Sequence, residues 1–189
     1  MNEDKSSEKN NIYYVYQSFC KLDINYILIP LTNYDDVIKK INMCKGIIMQ
    51  GGDDYKEIHL KIIKYLYDYD IPLLAICMSM QAMGVLFKGK LINVNNHKSK
   101  KKYVHKINIK KDTLLYKIIK RKSIYVNSSH KQCLDSTNLN VSAYSDCIEA
   151  IESTSKKFFL GVQWHTEKMI EYDKLEKKIF DYFKKVCEI

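Results

Sequence analysis

The sequence predicts an α/β fold: a mostly parallel central sheet with helices on both faces, plus a small mixed or antiparallel extension. Three observations carry this expectation. In the first half, short apolar runs alternate with segments whose apolar residues recur at helical spacing, as parallel sheets require when each crossover is a helix. The run Ile71-Pro-Leu-Leu-Ala-Ile-Cys-Met-Ser-Met-Gln-Ala-Met-Gly84 passes from a continuous apolar strand into a helical pattern, with Cys77 at the junction. After Gly89 the pattern changes to short strands joined by polar turns, which suits antiparallel pairing.

The elements follow in order. Residues 1–11 are polar and read as a disordered tail ahead of one domain spanning 12–189. Ile12 to Lys21 opens a helix that ends near Asp23, and Tyr26 to Pro30 reads as a short buried strand closed by proline. Asp35 to Met43 has helical spacing in Val37, Ile38 and Ile41; Gly46 to Met49 is the next strand, followed by the turn Gln50-Gly-Gly-Asp-Asp54. Tyr55 to Tyr69 places Ile58, Ile62, Tyr65 and Leu66 on one helical face, leading to the strand that delivers Cys77. Beyond Gly89, Lys90 to Asn95, Tyr103 to Ile109 and Ser123 to Val126 read as strands and Leu114 to Ile119 as a short helix. Val141 to Tyr144 and Ile148 to Glu152 form a hairpin, Phe158 to Trp164 a buried strand, and Leu175 to Val186 an amphipathic closing helix.

A chain of 189 residues, 46% hydrophobic and 28% charged, suits one domain with a substantial core. The net charge of +9 is spread along the chain, apart from Lys98 to Lys102, and no nucleic-acid motif accompanies it. Most of it reads as solvated surface with a general attraction for anionic small molecules, not as a nucleic-acid interface. Six cysteines without a Cys-x-x-Cys pair or metal-ligand spacing argue for reduced thiols in the cytoplasm and against a metal site. No secretion signal and no membrane-length apolar run is present, so no membrane partner is expected. His97 and His105 have no sequence partner that makes them ligands, and read as structural or surface residues.

The chemistry concentrates at two strand ends. A cysteine leading into a helix meets the free N–H groups of its first turn, which favour a thiolate and bind an anion. Taken alone, Cys77 is more simply a small buried hydrophobe. A second strand ending on His165, with Glu167 two positions on, supplies a base for the thiol and a group to orient that base. Gly52, in the Gly-Gly turn, and Met78, first in the helix, are the candidate oxyanion donors. Gln81 lies one helical turn after Cys77, so its amide faces the same pocket.

Cys77-Met-Ser-Met-Gln81 and Gly161-Val-Gln-Trp-His-Thr-Glu167 resemble the nucleophile and His-Pro-Glu motifs of class I glutamine amidotransferases. Gln50-Gly-Gly-Asp53 and Val126-Asn-Ser-Ser-His-Lys-Gln132 are most similar to the branch containing gamma-glutamyl-gamma-aminobutyrate hydrolases and other gamma-glutamyl hydrolases. The resemblance implies a flavodoxin-like class I amidotransferase fold and hydrolysis of gamma-glutamyl amides through a thioester on Cys77, with no cofactor. It also implies that Gln81, Ser128, Ser129 and His130 hold the glutamyl end of the substrate, a small gamma-glutamyl compound or glutamine. Two other roles stay open: a glutaminase subunit serving a separate synthetase partner, or a catalytically silent homologue with a binding role.

Three departures from the family pattern stand out. Ala75 and Ser79 replace the usual glycines two positions before and after the nucleophile, and Thr166 replaces the usual proline. The family's additional strand before the first helix has no apolar run here, so either it is lost or Ile12 to Tyr16 takes its place.

Overall fold

The structure, a computed structural model, describes residues 4–95 and 97–188. Helix α1 (Asp4–Leu22) comes first. Of the tail expected over 1–11, residues 1–3 lie outside the described residues and the rest forms the opening turns of α1, well before the expected start at Ile12. Ile12 to Tyr16 therefore does not replace the family's additional strand.

Helix α2 (Tyr34–Ile41) begins at Asn33, whose side chain accepts from Asp36 N at 3.0 Å. There follow β1 (Ile47–Met49), α3 (Glu57–Asp68), β2 (Leu73–Ile76) and α4 (Met78–Leu86). The second half contains β3 (Lys90–Asn93), β4 (His105–Ile109), α5 (Leu114–Ile119), β5 (Ser123–Val126) and β6 (Gln132–Ser136). It closes with β7 (Asn140–Tyr144), β8 (Ile148–Glu152), β9 (Phe159–Val162), a 3-10 turn at Thr166–Lys168 and α6 (Lys174–Glu188).

One mixed sheet runs in the order β1-β2-β9-β8-β7-β4-β5, with β3 and β6 joined to it through β8. Strands β1, β2 and β9 are parallel neighbours, whereas every ladder from β8 outward is antiparallel. The antiparallel part is thus larger than a small extension. Both faces of the parallel part are covered, which is why β2 and β9 read as unbroken apolar runs. Leu74, Ile76, Leu160 and Val162 face one core with Trp164, Phe180 and Phe183; Leu73, Ala75 and Phe159 face the other with Ile62, Leu66 and Met80.

Tyr26 to Pro30 corrects the sequence reading: it forms no ladder, and Tyr26, Ile27 and Leu28 are exposed. Strand β1 ends the sheet order with its outer edge unpaired among the described residues, and the segment, with Tyr26 to Leu28 turned to solvent, does not add to it. Strand β6 has no counterpart in the sequence reading; its one pair with β8, Leu134↔Ile148, and its ladder with β3 are long-range contacts that no local pattern announces.

Candidate active site

Parallel pairing of β2 with β9 sets the site. The register Ala75↔Gly161 and Ile76↔Val162 brings the carboxyl ends of both strands side by side, and Cys77 N donates to Val162 O at 2.8 Å. The chain then turns sharply, with Cys77 at φ 51° and ψ −110°, a conformation that costs a non-glycine residue free energy and is held by what surrounds it. Helix α4 starts at the next residue, and its first internal bond runs from Gln81 N to Cys77 O at 3.1 Å. The earlier N–H groups, Met78 included, have no intrahelical acceptor.

The two elbow substitutions are accommodated by their neighbours. Ala75 stands opposite Gly161, where an added Cβ would lie 2.8 Å from Met80 Cγ, so the small residue that lets α4 approach the sheet sits across the ladder. Ser79 Oγ donates to Gln50 O at 2.6 Å and ties the elbow to the Gly-Gly turn.

On the other strand end, Asn127 grips the backbone of His165 twice: Asn127 Nδ2 donates to His165 O at 2.8 Å and His165 N to Asn127 Oδ1 at 2.9 Å. His165 Nδ1 meets Glu167 Oε1 at 2.7 Å, which leaves Nε2 for Cys77. Glu167 Oε2 is buried without a partner among the described residues. All three side chains are buried, Cys77 at 5%, His165 at 4% and Glu167 at 2% exposure, so their charges interact with little screening. Burial pushes the imidazole down, but the charges of Glu167 and then Cys77, with a hydrogen bond to each, outweigh it and raise His165 to about 10. The arrangement favours His165 as an imidazolium, held between Glu167 and Cys77.

The Gly-Gly turn closes one side of this pair. A Cβ at Gly51 would lie 2.9 Å from His165 Cε1 and 3.1 Å from Cys77 Cβ, and one at Gly52 would lie 3.1 Å from Met78 Cε. The expected oxyanion residues Gly52 and Met78 are therefore neighbours beside Cys77.

Gln81 is committed largely to the protein: its Nε2 donates to Gln132 O at 2.7 Å and to Gln163 Oε1 at 3.1 Å, while Gln163 Nε2 donates to Cys77 Sγ at 3.5 Å. His130 Nδ1 joins the same carbonyl, Gln132 O, at 2.9 Å, and burial pushes this imidazole down to about 4. Ser128 is buried and donates to His97 O at 2.6 Å, whereas Ser129 is exposed and bridges Lys98. The structure thus unites Cys77, His165 and Glu167, and joins Gln81 and His130 to them through backbone and amide groups. Sequence reasoning does not single out Asn127, Gln163, Gly51 or the Ser79 hydroxyl; each lies inside a quoted motif, but its partner is distant in sequence.

The peptidase C26 family profile matches residues 55–167, which contain Cys77, His165 and Glu167. The chain belongs to the peptidase C26 family of class I glutamine amidotransferase-like proteins. As such it is a cysteine-based amidohydrolase or amidotransferase by family. It is 32% identical to a glutamine-hydrolyzing GMP synthase subunit from Methanosphaera stadtmanae, over 88% of this chain and 87% of that one. Among solved structures it resembles a GMP synthase subunit protein from Thermoplasma acidophilum, with TM-score 0.76, 17% identity, and coverage of 94% of this chain and 88% of that one. It also resembles the Trypanosoma brucei CTPS glutaminase domain with bound acivicin, with TM-score 0.71, 18% identity, and coverage of 93% and 87%. These likenesses establish the class I amidotransferase fold. Among the described residues, no helix is long and apolar enough to cross a membrane.

Proposed function

We propose that this protein hydrolyses gamma-glutamyl amide bonds, with Cys77 as nucleophile, His165 as acid and base, and Glu167 as the group that orients His165. The observation carrying this reading is the buried Cys77–His165–Glu167 array, with the cysteine in a disfavoured backbone conformation at the head of α4. The Cys77 thiolate attacks the side-chain carbonyl of the gamma-glutamyl group, forming the C–S bond and a tetrahedral oxyanion. The N–H groups of Met78 and Gly52 stabilise that oxyanion. Imidazolium His165 gives its proton to the departing amine as the C–N bond breaks, leaving a gamma-glutamyl thioester. His165, now neutral, takes a proton from water; the hydroxide adds to the thioester, and the thiolate leaves as glutamate is released. Every bond change and proton transfer in these steps falls on Cys77, His165, the substrate and water, with Glu167 orienting His165.

Ser128, Ser129 and His130 are assigned to the glutamyl carboxylate and amino group, and Gln81, whose amide nitrogen is already engaged, contributes through its Oε1. A second reading, a glutaminase subunit that passes ammonia to a synthetase partner, is favoured by one specific finding: the near full-length likeness to a glutamine-hydrolyzing GMP synthase subunit. The two readings share the first half-reaction and differ in what leaves.

Intact-mass labelling by diazo-oxo-norleucine or acivicin tests the shared step. The expected result is one adduct on the wild type, none on Cys77→Ala and slower labelling of His165→Ala. A folded wild-type chain that takes no label overturns the hydrolase reading and leaves a partner-activated glutaminase subunit or a silent homologue. With a labelled enzyme in hand, turnover of gamma-glutamyl amides against glutamine separates the free-standing hydrolase from the synthetase-coupled glutaminase.

A further inference from the structure

A second cluster of chemistry-bearing side chains lies behind the Ser128–His130 loop. His97 and Glu149 are buried and His105 is half-buried, and one ligand atom from each lies within 4.8 Å of the others. Asp146 and Cys147 meet Glu149 within the same limit. His105 Nε2 lies 2.8 Å from Glu149 Oε1, which also accepts from Ser145 Oγ at 2.8 Å, while His97 Nε2 lies 3.0 Å from Asp146 Oδ2. The other carboxylate oxygen, Glu149 Oε2, is buried and has no hydrogen-bond partner among the described residues, though Glu149 itself is 0% exposed. A bare buried carboxylate oxygen is costly unless a cation or donor meets it.

Counting protons gives an independent reason to place a cation here. A string of contacts runs from Gln132 O to His130 Nδ1 at 2.9 Å, from His130 Nε2 to His97 Nδ1 at 3.3 Å, and from His97 Nε2 to Asp146 Oδ2 at 3.0 Å. Both ends, a carbonyl and a carboxylate, only accept. Three contacts need three protons, and two neutral imidazoles carry two. A metal ion on His97 Nε2 removes the shortfall. His97 then keeps its proton on Nδ1 and donates to His130, and His130 donates from Nδ1 to Gln132 O, the outer-sphere arrangement that ligating histidines adopt.

We propose that His97, His105 and Glu149 bind a zinc-class divalent cation, with Asp146 completing the set. Two imidazoles and two carboxylates suit zinc by donor type. A tetrahedral ion with ligands at about 2.0–2.2 Å needs donors roughly 3.4 Å apart, so the 2.8 Å His105–Glu149 and 3.0 Å His97–Asp146 contacts open slightly on loading while the wider pairs draw in. The ion is structural. It joins the segment after β3, the start of β4 and the β7–β8 turn, and through the His97–His130 contact it fixes the loop that carries Ser128 and His130. The spacing of 97, 105, 146 and 149 in the chain is too wide for a sequence motif, which is why both histidines read as bland.

The test uses the full chain carrying Cys77→Ala, so that the Cys77–His165 pair does not compete for metal. Zinc is titrated calorimetrically, and cobalt is bound in its place for its absorption spectrum. One equivalent with a tetrahedral cobalt spectrum is expected. His105→Asn and the exposed-site variant Asp146→Asn each weaken binding at least about tenfold, Asp146→Asn without loss of folding. Zinc is also expected to slow amide hydrogen exchange of residues 128–132. No stoichiometric uptake by the folded Cys77→Ala chain overturns the proposal and leaves an extra proton on the histidine string as the occupant. Uptake that is unchanged in both ligand variants overturns it equally, and a thiolate-to-cobalt band would then place the ion on cysteine. Neither outcome depends on whether the Cys77 site hydrolyses anything.

Discussion

Replacing Glu176 with glutamine is expected to remove a pH dependence of stability that the fold imposes next to the site. Glu176 lies in α6 with 0% exposure, and Trp164 Nε1 donates to its Oε2 at 2.8 Å. Burial pushes its carboxyl up from the ordinary 4.5 to about 7, with the Trp164 N–H acting in the opposite direction. A rise of that size corresponds to about 3 kcal/mol at about 1.4 kcal/mol per pKa unit. The folded chain holds this proton more tightly than the unfolded one. The contribution is therefore fully present below the unfolded pKa and is lost as pH rises through about 7, with a steepest slope of about −1.4 kcal/mol per pH unit. Glutamine is neutral throughout and keeps an oxygen for the Trp164 N–H. Urea unfolding followed by the fluorescence of the single tryptophan reads the effect directly. The variant should match the wild type near about pH 4.5 and exceed it by up to about 3 kcal/mol near about pH 8. Parallel stability curves for the two proteins would refute the argument, as would a variant that is less stable at the higher pH.

Three further outcomes follow from the site. Glu167→Gln disturbs the tautomer and the charge that hold His165 as imidazolium, so labelling of Cys77 by diazo-oxo-norleucine should slow by about 10³–10⁴ with folding intact, as read by intact mass and circular dichroism. Gly51→Ala puts a methyl group against His165 Cε1 and Cys77 Cβ; the displaced pair should label about 100-fold more slowly, in a time course run beside the wild type. Asn127→Ala strips both hydrogen bonds from the His165 backbone, and denaturant unfolding should show a loss of about 3 kcal/mol, with Asn127→Asp recovering the bond from His165 N but not the one to His165 O.

What the sequence announced and what it withheld divide along a physical line. Strands β2 and β9 are buried on both faces, so their continuous apolar runs identify them, and each leads into a candidate site residue, Cys77 directly after β2 and His165 shortly after β9. Helix α5 over Leu114–Ile119 and strand β5 over Ser123–Val126 were legible because capping and alternation are local properties; Thr113 Oγ1 accepts from Tyr116 N at 3.1 Å. Tyr26 to Pro30 has the composition of a strand, but a strand is made by its pairing, and this segment does not pair with the open edge of β1. Composition records what a segment prefers, and pairing is decided elsewhere in the chain.

The same division explains the elbow, where the motif alone overstates the problem. Ala75 and Ser79 add Cβ atoms where the family pattern has glycine, and the expected consequence is a crowded turn. The close approach of α4 to the sheet is a property of the ladder, however, and Gly161 opposite Ala75 leaves the space beneath Met80 open. Ser79 converts its extra atoms into a bond with Gln50 O, which draws the Gly51–Gly52 turn toward Cys77 and Met78. A hydroxyl at this position therefore does for the turn what a glycine cannot, because it ties the Gly-Gly turn to the head of α4, the two halves of the proposed oxyanion site. Ser79→Gly should for that reason reduce labelling of Cys77 instead of improving it, and a faster reaction in the glycine variant would show that crowding, not positioning, governs this corner.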